Sequence, residues 1–369
     1  MGFEKFRVKD RDFSPKRALI IAELGTSHGS DPVKAGELIA AAAEAGADCI
    51  KSQIVYADEI LHPNTREVAL PGGNIRLYDR FKQLETDISF FAKMKEETEK
   101  RGLLFLCTPF GIRSARELRE LGPEFIKIAS PELNFSSLLR EVASYKLPAL
   151  LSTGVSKLAD IEEAVSVLGE RAPICLLHCV TSYPAPERDY NLRVLKSLSP
   201  VFGCPVGVSD HSMDPELVPA LAVAMGGAVI EKHFCLSRND PGLDDPIALP
   251  PSGFALMVKA VRRASGMEAE AVLEELSRER GAELVEAVLG DGVKRLAPSE
   301  KANYERTNRS IHATRSIKQG EIIKKDMIAS LRTEKILRPG LPPSWEEAII
   351  GRKAARFIPD GEGIRFEDL

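Results

Sequence analysis

The segment 204–234, CPVGVSDHSMDPELVPALAVAMGGAVIEKHF, reads as strand, helix, strand. Within it, Val206-Gly207-Val208-Ser209-Asp210-His211 and Val229-Ile230-Glu231-Lys232-His233 are short apolar runs, each closing on a histidine near a carboxylate. Pro215 to Met225 has helical character, and Gly226-Gly227 turns the chain into the second strand. Two adjacent parallel strands that end in imidazole make His211 and His233 a candidate two-histidine metal site.

The same unit repeats through most of the chain. Apolar runs occur at 18–24, 47–55, 103–110, 124–130, 148–154, 173–180, 204–210 and 228–234. They are continuous rather than alternating, as expected of strands covered on both faces of a parallel sheet. Amphipathic segments such as PVKAGELIAAAAEAG and SKLADIEEAVSVLG lie between them, with capping candidates Ser30, Asp31 and Ser156 and terminating Gly46 and Gly169. Eight β-then-α units over about 250 residues predict an α/β fold, a (β/α)8 TIM barrel. The stretch from Tyr56 to Asp87, rich in Pro, Gly and Asn, reads as a long loop over the barrel mouth.

The predicted organisation is a barrel over 1–265, a charged helical linker over 266–305, and a small β-rich module over 306–369. In the last, two I-x-x-G-E turns (Ile317 to Glu321, Ile358 to Glu362) mark short strands.

Composition excludes several classes. The 369 residues are 44% hydrophobic and 28% charged, ordinary for a globular chain, with a formal charge of −4. Lys and Arg are dispersed, so no nucleic-acid partner is expected. No stretch approaches the roughly 20 apolar residues of a membrane span. The N-terminus has neither a signal-peptide core nor a myristoylation pattern, which predicts a cytoplasmic protein. The six cysteines fall in or beside apolar runs without paired CxxC spacing and read as small core residues.

Catalytic groups of such barrels gather at the C-terminal strand ends. Nearly every strand here ends in a capable residue: Glu23; Lys51 and Gln53; Thr108; Lys127, Ser130 and Glu132; Ser152 and Thr153; His178, Thr181 and Tyr183; Ser209, Asp210 and His211; Glu231 and His233. Lys51 and Lys127 among hydroxyls suggest an anion site, since lysine supplies point charge and hydroxyls supply direction. The plainer reading pairs each lysine with a carboxylate, Lys127 with Glu132 for example. Two imidazoles with open positions suit a loosely held Mn²⁺ or similar ion better than zinc. Asp210 and Glu231 are candidates to orient the rings. His178 reads equally well as core or site, while His62 and His312 support no assignment.

In order along the chain, IAELGTSHGSD, ADCIKSQ, CTPF, IKIASPEL, LLSTG, LLHCVTSYPAP, VGVSDHS, VIEKHF and PGLDD resemble the N-acetylneuraminate (sialic acid) synthase family. RSIHATRSIKQGE, LRPG and GRKAARFIPDGE resemble that family's C-terminal antifreeze-like (SAF) domain. The resemblance covers residues 18–369. It implies condensation of phosphoenolpyruvate with N-acetylmannosamine or a related 2-acetamido sugar, giving a nine-carbon 2-keto-3-deoxy acid and phosphate. Legionaminic- and pseudaminic-type synthases share the scaffold, and a metal-dependent aldolase that releases no phosphate is the alternative chemistry.

The resemblance further implies that His211 and His233 hold a divalent metal, Mn²⁺ by first choice with Mg²⁺ or Co²⁺ as substitutes. Lys51, Thr108, Lys127, Ser130, Ser152 and Ser209 would bind phosphoenolpyruvate, Glu23 would act as acid/base, and Glu132 would support it. Gln53, Tyr183 and Asp244 would contact the acetamido hexose. Arg338 would reach its N-acetyl group from the other subunit of a domain-swapped homodimer; otherwise it is a surface residue at a turn. Thr181, GTSHGSD, GLDD and the loop holding Asn74 depart from the usual pattern, mostly on the sugar side.

Overall fold

The computed structural model describes residues 5–70, 73–169, 171–334 and 336–369. Eight parallel strands form one sheet. In hydrogen-bonded order they are Leu104–Pro109, Cys49–Ile54, Leu19–Glu23, Gly227–His233, Val206–Asp210, Ile174–Cys179, Ala149–Ser152 and Ile126–Ile128. The two end strands lie side by side, so the sheet closes into the expected (β/α)8 barrel.

Strand alternation divides the residues between two cores. Ile20, Ala22, Ile50, Leu151, Leu176, Val208 and Ile230 face the surrounding helices. Leu19, Ile21, Cys49, Leu104, Leu106, Leu150, Cys175, Leu177 and Val229 fill the barrel interior with Phe6, Val8, Phe13 and Phe125. Phe6–Val8 and Arg11–Phe13 form an antiparallel hairpin whose three apolar side chains plug the bottom of the barrel. The charged N-terminus had given no sign of it. Each such buried side chain contributes about 1.5–3 kcal/mol, so the lower interior is a packed floor under the site.

The first helix, Pro32–Glu44, begins where Asp31 accepts a 2.8 Å bond from the Val33 amide and Pro32 takes the first turn. Leu217–Ala224 is buried on every side, which explains its uniformly apolar sequence. The Tyr56–Asp87 region carries structure of its own: a short helix (Ala57–Ile60), a hairpin (Glu67–Leu70 with Gly73–Arg76) and a helix (Leu77–Leu84). Ser156 does not cap its helix; its hydroxyl bonds the Gly154 carbonyl at 2.8 Å, and Lys157 takes the N-cap position.

After the last barrel helix, Ala269–Arg280 and Ala282–Leu289 pack on the barrel wall. The chain then crosses the mouth in an irregular path. Lys294 Nζ donates to the Thr153 carbonyl at 2.7 Å, and Glu300 accepts from the amides of Thr181 (2.9 Å) and Val155 (3.1 Å). The C-terminal module pairs Arg309–Ala313 with Ile328–Arg332 around Ile311, Ile317, Ile323, Ile358 and Ile364. Its two I-x-x-G-E turns meet: Ile317 and Ile358 exchange amide-to-carbonyl bonds of 2.9 Å in both directions.

The module lies over its own barrel. His62 is 3.1 Å from Asp360, Asn134 and Arg309 exchange side-chain and backbone bonds, and both Arg309 and Arg332 reach Glu132. The resemblance implies delivery to the other subunit. Within this chain the connection is tied down as far as Asn308, whose amide donates to the Val155 carbonyl at 3.0 Å, and Arg309 follows directly.

Candidate active site

Inward positions change character one layer above the apolar floor. Leu19 and Ile21 are followed by Glu23, Cys49 by Lys51 and Gln53, Leu104 and Leu106 by Thr108, Phe125 by Lys127, and Leu150 by Ser152. Leu177 is followed by Cys179, Gly207 by Ser209, and Val229 by Glu231 and His233. The period-2 register of eight strands thus gathers residues scattered over more than two hundred positions into one ring.

Glu23 accepts from Gln53 Nε2 and the Gly25 amide, both at 2.8 Å, and pairs with Lys51. Burial works against the charge of Lys51, but Glu23 and Glu231 outweigh it and raise its pKa. Lys127 is less compensated. Its Nζ donates to Ser152 Oγ at 2.6 Å and lies 3.6 Å from Glu231, and burial lowers its pKa. Its carboxylate neighbour is therefore Glu231, not Glu132. Glu231 accepts from Ser209 Oγ at 2.8 Å; burial opposes its charge, but Lys127 and Lys51 outweigh this and hold its pKa at about 2.

Several buried polar atoms here have no partner: Thr108 Oγ1, Glu132 Oε2, Thr181 Oγ1 and Glu231 Oε2. Buried polar atoms are rarely left unpaired, so their concentration in one ring points to a ligand. Gly154 adds a hollow. A Cβ there would come within 2.2 Å of Thr181 Oγ1, 2.9 Å of Ser130 Oγ and 3.1 Å of Cys179 Sγ. Its amide donates to Ser130 Oγ at 3.0 Å. Only glycine leaves these hydroxyls clear above Lys127 and Ser152.

His211 and His233 stand above this ring with centroids 5.5 Å apart, and Tyr183 stacks on His211 at 4.3 Å with planes 30° apart. His211 Nδ1 is 2.9 Å from the Val180 carbonyl, which only accepts, so Nδ1 carries hydrogen and Nε2 is the ligating atom. Burial opposes a charge on His211, yet Cys179 and the Val180 carbonyl outweigh it and raise its pKa to about 9. A cation bound at Nε2 must displace that proton. Burial lowers the pKa of His233, whose Nδ1 is 3.9 Å from Asp244 Oδ2. The donor set fits a divalent ion that takes its remaining ligands from substrate and solvent. Among the described residues, no group of three His, Cys, Asp or Glu side chains forms a fuller metal site.

Asp210 does not orient His211. It points to the outer face, bound to Lys232 and Tyr190 at 2.6 Å each and to the Ser212 amide at 2.8 Å. Glu231 serves the lysines. His178 is also outward, with Nε2 2.5 Å from the Tyr190 carbonyl, and is a packing residue. Asp244 lies beside Gly25, where the loop after the first strand meets the loop after the eighth; Thr26 Oγ1 accepts from the Leu243 amide at 3.4 Å and Ser27 bonds Asp245.

Arg338 remains within the module, donating to the Gly363 carbonyl and Asp368 at 2.7 Å each. The Asn74 side chain lies outside the described residues. Sequence reasoning missed Cys179, which strict alternation from Cys175 and Leu177 would have placed inward. It also missed Arg309 and Arg332, for which the sequence carried no signal.

The fold and site define a (β/α)8-barrel protein with a lysine-lined, two-histidine mouth roofed by its own C-terminal module. A model of the NeuB family matches residues 38–272, and one of the SAF domain matches residues 308–369. The chain belongs to the NeuB family. An uncharacterized protein of Methanocaldococcus jannaschii is 34% identical over 99% of both chains. N,N'-diacetyllegionaminic acid synthase of Campylobacter jejuni is 31% identical over 95% of this chain and 99% of its own. The crystal structure of spore coat polysaccharide biosynthesis protein SpsE of Bacillus subtilis is similar with TM-score 0.82 at 31% identity, over 99% of this chain and 98% of that one.

Proposed function

We propose that the protein is a sugar-acid synthase that condenses phosphoenolpyruvate with N-acetylmannosamine or a related 2-acetamido sugar, forming a nine-carbon 2-keto-3-deoxy acid and releasing phosphate. The observation that carries this reading is the buried ring of Lys51, Lys127, Thr108, Ser130, Ser152, Gly154 and Thr181 directly beneath two histidines. A small anionic substrate matches the under-compensated charge of Lys127 and the unpartnered hydroxyls of Thr108 and Thr181.

In this reading Lys51 and Lys127 hold the carboxylate and phosphate, and Thr108, Ser130, Ser152, Ser209 and Thr181 supply direction. Lys127, whose charge is least compensated, gains most from the anion. Glu23, fixed by Gln53, Gly25 and Lys51, would move the proton of the water that adds at C2 of the enol pyruvate. Tyr183, Gln53 and Asp244 face the sugar side. His211 and His233 would hold Mn²⁺ or a similar ion, which when bound supplies Lewis-acid polarisation of the sugar carbonyl.

Phosphate release tests the reading. It should require phosphoenolpyruvate, divalent metal and one member of a panel running from N-acetylmannosamine to 2,4-diacetamido trideoxy hexoses. No release with any of them would overturn it, and a keto acid formed without phosphate would favour an aldolase.

A further inference from the structure

The segment that joins the barrel to the C-terminal module brings a buried carboxylate to the mouth. Glu300 Oε2 accepts from amides of two different loops, Thr181 at 2.9 Å and Val155 at 3.1 Å, while Oε1 caps its own turn through the Ala297 amide at 3.2 Å. Asn303 donates to the Thr181 carbonyl and Asn308 to the Val155 carbonyl, each at 3.0 Å. The backbone N–H and C=O of both residues are thus met by side chains of one stretch, 300–308. Val155 is held at φ 41°, a left-handed conformation that a β-branched residue rarely adopts. Such a conformation persists only where the surroundings over-determine it.

Both residues flank the hollow at Gly154. Val155 follows Gly154 directly, and Thr181 carries the unpartnered Oγ1 that a Cβ at Gly154 would meet. The Thr181 amide shares its peptide plane with the Val180 carbonyl, which faces His211 Nδ1 from the opposite edge. Glu300 therefore stands behind the wall of the pocket. Among the described residues its carboxylate hydrogen-bonds only backbone amides, and its charge favours that of Lys294, itself bound to the Thr153 carbonyl.

Backbone N–H groups bound to a carboxylate are held by strong, charge-assisted bonds, and losing the carboxylate strands two buried donors. We propose that Glu300 is a positioning residue for phosphoenolpyruvate: it fixes the Val155 and Thr181 peptides, and so keeps the Thr181 hydroxyl and the Gly154 hollow in register with Ser130 and Lys127. The anion site is finished by the connecting segment and not by the eight strands alone. This rests on the condensing activity proposed above, with phosphoenolpyruvate as the anion.

Calorimetric titration of phosphoenolpyruvate into the chelator-treated full-length protein tests it with no turnover, metal or sugar involved. Glu300→Ala should weaken binding about tenfold or more, the scale of stranding a buried donor. Glu300→Gln keeps one carbonyl oxygen for the two amides and should fall between Glu300→Ala and wild type. Asn303→Ala removes only the bond to the Thr181 carbonyl and should weaken binding about threefold. His178→Ala, on the outer face, is the control for lost stability and should bind as wild type does. Unchanged affinity in Glu300→Ala would overturn the proposal, as would an equal loss in His178→Ala or no binding to wild type. Should Glu300→Ala not fold, Asn303→Ala decides by the same titration. Phosphate release by wild type judges the condensing reading separately. If wild type condenses no sugar of the panel yet binds phosphoenolpyruvate more tightly than Glu300→Ala, that reading fails and the positioning role stands.

Discussion

Lys127 Nζ lies 3.6 Å from the Glu231 carboxylate and donates its shortest hydrogen bond, 2.6 Å, to the neutral hydroxyl of Ser152. The lysine is thus buried with a charge that the protein only partly answers. Lys127→Met should abolish or cripple turnover and lower the melting temperature, because it leaves the buried Glu231 carboxylate with Lys51 as its remaining cation, 3.9 Å away. Activity and thermal denaturation read the two effects independently. A variant that loses stability and keeps activity would mean that Lys127 is structural.

Three histidines share burial but not function. His211 and His233 point into the mouth, whereas His178 points outward to the Tyr190 carbonyl. His211→Ala and His233→Ala should each lower kcat by about 100-fold or more, the scale of losing an electrostatic stabiliser, and chelator should inactivate wild type until Mn²⁺ is restored. His178→Ala should retain turnover and lose stability. Comparable loss of kcat in all three would erase the distinction between the faces.

Much of this was legible in the sequence. Continuous apolar runs located all eight barrel strands, because strands covered on both faces cannot carry polar residues except at their ends. The same logic placed Glu23, Lys51, Lys127 and His233 inward. What could not be read were contacts between distant segments. The spacing between Glu132 and its two arginines, 177 and 200 residues, leaves no periodic trace. The pairing of Asp210 with Lys232 was hidden for a related reason: both lie on the outer face, although each neighbours a site histidine in sequence.

Acid should weaken the fold through histidines that are buried uncharged. Burial lowers His28 to about 4, His178 to about 3 and His312 to about 4. An unfolded histidine takes its proton near 6.5, so below that value the unfolded chain binds more protons and stability falls with pH until the folded values are reached. Each contributes about 1.4 kcal/mol per pH unit in that window. Urea midpoints near pH 7 and near pH 5 should differ clearly, and His178→Gln should narrow the gap. An unaltered gap would show that His178 takes up its proton in the folded state.

Co-expression decides whether the module closes over its own barrel or, as the resemblance implies, over a neighbour's. Lys294, Glu300, Asn303 and Asn308 tie the connection to the mouth of the barrel it leaves, and Asn308 is fixed to Val155 one residue before Arg309 engages Glu132. Two crippled chains can expose the difference. One carries Glu23→Gln and an intact module; the other has an intact barrel but ends after Glu305, leaving Glu132 without either arginine. Closure within the chain leaves the truncated barrel open in every pairing, so co-expression should release no more phosphate than the two chains alone. Domain exchange would let the first chain roof the second and restore turnover. Recovery on co-expression would therefore establish the swap, and its absence closure within the chain.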